Sequence, residues 1–319
     1  MIKKTVLVLL SVVVGALAVY YFTGSEDTSV VDTTNNQAQQ SAGANEPEEP
    51  IAPTMYSSDY EIVDSEYGTQ VSVTINESMG LRTIVANALP NHDTGEFPNS
   101  GNPNEISAQS TTYEYPLSPT FTGNPVNVRT PGVAINGVKF EPATAERATC
   151  ESGDVLAIEA IQDITDLGLD FNNAHVQPTG EYHYHGISPA FTTGVDASQD
   201  LVHVGFAADG YLMYYSRSGA YKPSYQIKDG DRTVGCSYEV PPAGERVVEF
   251  GQIRDGSLTD DWEYVEGSGQ LDECNGVTID GSYGYIITDD FPYVSRCLMG
   301  TASEATPPSG SGSRPAPPR

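Results

Sequence analysis

Apolar and polar residues alternate in short runs along most of the chain, as in Gln70-Val-Ser-Val-Thr-Ile75, Val133-Ala-Ile135, Val202-His-Val-Gly-Phe206 and Arg246-Val-Val-Glu-Phe250. Gly, Pro, Asn and Asp separate these runs, so period-two strands joined by turns are predicted. One segment departs from the pattern. From Asp154 to Leu167 the residues Val155, Leu156, Ile158, Ile161, Ile164 and Leu167 recur at three- and four-residue steps with no Gly or Pro between them. That spacing predicts a helix with one buried face, capped by Asp154 and stopped by Gly168. The expected fold class is mainly β, a β-rich α+β arrangement in which an antiparallel β domain packs at least one helix.

The ends of the chain lack this patterning. Lys3 and Lys4 precede an apolar run from Thr5 to Phe22, and no further Lys or Arg occurs before Arg82. Residues 1–22 therefore read as an export signal, either cleaved after Ala16-Leu17-Ala18 or retained as a short membrane anchor. Residues 23–55 are rich in Ser, Thr, Asn, Gln, Pro and Glu, too poor in apolar surface to offset the entropy of ordering them, and read as a flexible acidic linker. Residues 301–319 hold five prolines among Gly and Ser and read as a disordered tail. One domain over 56–300 remains, with an extracytoplasmic location that is periplasmic, secreted or membrane-anchored facing outward.

Charge and cysteine content narrow the function classes. The 43 acidic against 15 basic residues give a formal charge of −28. The resulting field repels nucleic acid and anionic lipid and attracts cations. Nucleic acid is thus excluded as a partner, and membrane contact is limited to an uncleaved leader. An even count of four cysteines in an oxidising compartment implies two disulfides, for which three pairings exist. Cys274 with Cys297 and Cys150 with Cys236 is the favoured set, because the first pair brackets a short Gly- and Tyr-rich unit that looks like a hairpin. No C-x-x-C spacing suggests a thiolate metal site.

Only five histidines occur, at 92, 175, 183, 185 and 203, and three fall within eleven residues. In Gly180-Glu-Tyr-His-Tyr-His-Gly186, a strand would place His183 and His185 on one face and Tyr182 and Tyr184 on the other. Two imidazoles so arranged can chelate one metal ion, and an imidazole-rich shell suits Cu, Zn or Fe better than Ca or Mg. His203, in the apolar run Leu201–Ala207, and His92, in a Pro- and Asn-rich loop, are candidates to complete the shell. Asp209 is a further ligand or orienting group, and His175 lies close by in sequence. There is no G-x-S-x-G elbow, H-E-x-x-H, P-loop or dinucleotide fingerprint, so no catalytic residue is assigned. The nineteen tyrosines, dense in Tyr211-Leu-Met-Tyr-Tyr215, suggest a second reading, a surface-displayed module binding glycan or protein through a Tyr-rich face.

Gly180–Gly186, preceded by Asn172-Asn-Ala-His-Val-Gln-Pro-Thr179, resembles the signature of the YHYH-domain family of exported proteins. Leu89-Pro-Asn-His92, Gly95-Glu-Phe-Pro-Asn99, Gly101-Asn-Pro-Asn104, Gly205-Phe-Ala-Ala-Asp-Gly210, Leu271-Asp-Glu-Cys-Asn-Gly276 and Phe291-Pro-Tyr-Val-Ser-Arg-Cys297 follow in the family's order, so the likeness spans about Val71 to Gly300. It implies no established activity, and its His-rich pattern is similar to metal sites. Family members commonly carry a second Tyr-His-Tyr element, where this chain has Tyr283-Gly284-Tyr285. The two elements look like an internal repeat, and two related halves are expected. If the second half supplied a ligand, Gly284 would leave the site one imidazole short.

Overall fold

A computed structural model describes residues 58–196, 198–241 and 246–302. The leader, the linker and nearly all of the tail lie outside these residues. The described chain begins with β1 (Tyr60–Asp64), β2 (Thr69–Asn76), β3 (Leu81–Ala86) and β4 (Thr111–Pro116), then β5 (Phe121–Asn127). Three hairpins follow: β6 (Gly132–Ala134) with β7 (Lys139–Phe140), β8 (Ala143–Cys150) with β9 (Val155–Glu159), and β10 (Ala174–Val176) with β11 (Tyr182–Tyr184). Next come β12 (Leu201–Ala207), β13 (Leu212–Ser216), β14 (Tyr225–Ile227), β15 (Cys236–Val240), β16 (Arg246–Phe250) and β17 (Trp262–Tyr264). The hairpin β18 (Gly276–Ile279) and β19 (Ser282–Ile287), then β20 (Cys297–Gly300), complete the series. The alternating runs read from the sequence are β2, β6, β12 and β16.

β1–β4 form an antiparallel sheet in chain order, and Val71, Val73, Ile84, Tyr113 and Tyr115 on its inner face share one core with Phe140, Tyr182, Tyr184, Phe206, Met213 and Tyr285 of an eight-stranded sheet. On β2 every second residue from Thr69 to Val73 is buried, as a strand with one covered face requires. A smaller core of Ala148, Ile158, Leu167, Phe250 and Leu258 lies under the sheet β16-β15-β8-β9. The Cys150–Cys236 disulfide joins residues opposite each other on β8 and β15, and Cys274–Cys297 ties the β18–β19 hairpin to β20. Both are the favoured pairs.

The packed helix is not there. Among the described residues the only helical turns are two short 3-10 segments, Pro189–Thr192 and Thr259–Asp261. Val155–Glu159 is strand β9 paired with β8, with Asp154 in the hairpin turn, where Cys150 N–H donates to its carbonyl. Past β9, Gln162 Oε1 accepts from the backbone of Ile164 and Thr165, and Asp166 Oδ1 accepts from Gly168. These side chains take amides that a helix would need. The apolar spacing never becomes one buried face, since Ile158 and Leu167 are buried while Val155 and Ile164 are exposed.

The eight-stranded sheet runs β10-β11-β7-β6-β12-β13-β19-β18 and reads the same from either end. At the central seam Gly132 pairs with Ala207, Val133 with Phe206 and Ala134 with Gly205. Outward on each side lie a tight hairpin, a parallel pairing (β7 with β11, β13 with β19) and a second hairpin. Details repeat as well. Asn173 and Asn275 both have left-handed backbone, with φ of 53° and 57°. Tyr182 donates to Asp170 at 2.7 Å, and Tyr283 to Asp272 at 2.8 Å. Gly132 and Gly205 are equivalent, and a Cβ on either would strike the opposing backbone carbonyl, Phe206 O at 2.3 Å or Val133 O at 2.6 Å. The seam therefore admits only glycine at these points.

Candidate metal centre

The β10–β11 hairpin builds the site. Its turn closes with Gly180 N–H donating to Gln177 O, and Gly180 has φ +85°, where a Cβ would also strike Ser107 Oγ. The turn fixes a register that sets His175 opposite His183, while His185 follows two residues on along the same face. The phenols of Tyr182 and Tyr184 point the other way, into the main core. One candidate nitrogen from each of His175, His183 and His185 lies within 4.8 Å of the others. His183 and His185 are each only 2 % exposed, and His175 is 9 % exposed.

The outer nitrogens face backbone carbonyls. His175 Nδ1–H donates to Leu167 O at 2.9 Å, and His183 Nδ1 faces Glu181 O at 3.4 Å. His185 Nδ1 is buried and turned to the Pro142 carbonyl, which favours its protonated form. The Nε2 lone pair of His175 is thereby turned inward, 3.1 Å from His185 Nε2. A tetrahedral ion with metal–nitrogen bonds of 2.0–2.1 Å spaces its nitrogens about 3.3 Å apart, close to that separation. The loop after β9 has a part here, for Leu167 offers the carbonyl that orients His175.

Electrostatics favour neutral rings. Burial first, and the neighbouring imidazoles second, push the His183 and His185 pKa values well below the usual histidine range. Neutral imidazole is the ligating form. An ionic frame flanks the site: Lys139 bridges Glu141 and Glu181 at 2.9 Å each, and Glu141, which also binds Arg129 and Gln177, has its carboxyl held below the usual range despite burial. Sequence reasoning missed this frame, because Lys139 and Glu141 come from in and beside β7 and Glu181 from beside β11, and those strands meet only in the folded sheet.

The other predicted residues stand elsewhere. His92 Nε2 meets the Tyr184 hydroxyl at 2.6 Å on the opposite face of β11, and Asn136 donates to the same oxygen at 2.9 Å. His203 Nε2–H donates to Gly205 O at 2.9 Å. Asp209 accepts from Tyr285 at 2.5 Å and from Gly300 N–H at 3.0 Å. It is the counterpart of Asn136, each lying in a hairpin turn and holding the second tyrosine of its Tyr-x-Tyr pair. Gly284 lies on β19, five strand steps from β11, about 24 Å at ordinary strand spacing. Its lack of an imidazole therefore takes nothing from the histidine triad, contrary to the expectation of a site one ligand short.

His203 carries a pH prediction independent of the triad. Burial lowers its pKa to about 3, so between roughly pH 6.5 and that value the unfolded chain binds a proton that the folded chain refuses. Its stabilising effect is present above pH 6.5 and is lost as pH falls. Melting curves from pH 7 to 4.5 should show wild type losing stability more steeply than His203→Gln, which keeps a donor but does not titrate. Parallel curves would refute this assignment.

No curated protein and no solved structure matches this chain. A family model described as "YHYH protein" matches residues 112–300, which contain the triad, both disulfides and both Tyr-x-Tyr hairpins. With more than half its length matched, the chain belongs to the YHYH protein family.

Proposed function

We propose that this protein binds a transition metal ion outside the cytoplasm through His175, His183 and His185. The observation that carries the reading is three converging, buried imidazoles, of which His183 and His185 are held neutral by burial. Each ring is oriented from its outer side by a backbone carbonyl, of Leu167, Glu181 or Pro142, which leaves the inner nitrogens turned toward one another. An all-nitrogen set suits Zn or Cu ahead of Fe, and disfavours Ca and Mg. With three protein ligands, a fourth position is left for water or a small ligand, as in catalytic rather than closed structural zinc sites. The two disulfides support an oxidising compartment, and the acidic surface favours approach of cations.

The test is metal content by mass spectrometry on untagged protein purified from its native compartment, beside His183→Ala/His185→Ala. About one equivalent of Zn, Cu or Fe, absent from the variant, is expected. Folded wild-type protein that carries no metal and takes up none when ions are added would refute the proposal.

A further inference from the structure

The two halves of the large sheet match in backbone but diverge in surface. At the positions of His175, His183 and His185 the second half has Val277, Gly284 and Ile286, by the registers of the two outer hairpins. Next to them, where β7 and the residue after it supply Lys139 and Glu141, β13 supplies Leu212 and Tyr214. An imidazole face flanked by Lys139 and Glu141 is thus replaced by an apolar and phenolic one. Gly284 has ordinary strand backbone, so conformation does not demand glycine there. A Cβ would come within 3.2 Å of the Tyr214 ring, and glycine lets that ring lie against the strand.

Beside this surface is a cleft of about 590 Å³ between the second half and the β1–β4 sheet. Tyr211, Tyr214 and Tyr283 line it with Leu117, and Glu77 and Arg82 bring one negative and one positive charge. Tyr211 packs edge-on against Tyr283, with ring centroids 5.0 Å apart, so its wall is braced before any ligand arrives. The Arg82 guanidinium lies 4.2 Å over the Phe206 ring, which fixes its position at the cleft floor. Its size is that of a small-molecule site, with aromatic walls and polar groups spread among them.

We infer that this cleft binds a neutral oligosaccharide. Its two charges cancel, and the −28 field around it repels anionic ligands. Phenol rings offer flat faces to the C–H faces of a sugar and hydroxyls to its edges. The Glu77 carboxylate and the exposed Ser282 hydroxyl in the lining match the mixed donor and acceptor pattern of sugar hydroxyls. The inference does not depend on the histidine triad, since the two sites occupy opposite ends of one sheet.

The test is titration calorimetry of the full chain with two flat, neutral, β-linked probes, cellohexaose and chitohexaose. Binding of either at millimolar or lower concentration is expected, weakened at least tenfold in Tyr211→Ala and in Tyr214→Ala, both still folded by circular dichroism. His183→Ala should bind like wild type, so a failed metal site leaves this result standing, and added salt should have little effect. No heat with either probe, equal affinity in the tyrosine variants, or preference for an oligogalacturonate would each overturn the inference.

Discussion

Stripping the His175–His183–His185 site with a chelator is expected to lower the melting temperature by about 8–16 °C, and Zn(II) or Cu(II) should restore it while Mg(II) does not. An ion that binds only the folded chain stabilises it by about 4 kcal/mol when its free concentration is a thousand times the dissociation constant. For a domain of this size each kcal/mol moves the midpoint by about 2–4 °C. The ligands come from two strands of one hairpin and the residue just beyond, so the unfolded chain offers no preformed triad. His183→Ala should melt near the stripped wild type and should not respond to either ion. An equal response in wild type and variant would place the ion elsewhere, and no response in wild type would leave the triad without a ligand.

Replacing Cys150 and Cys236 together by Ala is expected to cost about 4–5 kcal/mol, against about 3 kcal/mol for the Cys274 and Cys297 pair. The sequence separations are 86 and 23 residues, and the loop entropy released to the unfolded chain grows with the logarithm of loop length. Both ends of the longer loop lie in the smaller core, where Cys150 and Cys236 themselves pack with Phe250 and Leu258. Denaturant unfolding can be followed at the only tryptophan, Trp262, which stacks on Phe291 at 4.3 Å. A reversed order of the two costs would show that unfolded-chain entropy does not dominate here.

Much of the architecture was legible because strand signals are local. The alternation in Gln70–Ile75 marks β2, and the Gly- and Tyr-rich unit between Cys274 and Cys297 does hold a hairpin. The repeat was legible too, since Tyr182-His-Tyr184 and Tyr283-Gly-Tyr285 occupy equivalent strands. The segment from Val155 to Leu167 misled because a five-residue strand followed by side-chain-closed turns reproduces helical spacing by accident. Its decisive bonds, from Gln162 and Asp166, are invisible to a periodicity count.

The site divides along the same line. That His183 and His185 share a face, with Tyr182 and Tyr184 opposite, follows from the two-residue period of one strand, and the sequence by itself determined it. Which third group would join them was decided only by tertiary structure. His203 and His92 were the candidates ahead of His175, yet the hairpin register put His175 opposite His183, and His92 meets Tyr184 on the far face of the same strand. Side-chain direction is a property of a single strand, whereas opposition and register belong to a pair, and pairing is fixed by turns and cores far from the residues it brings together.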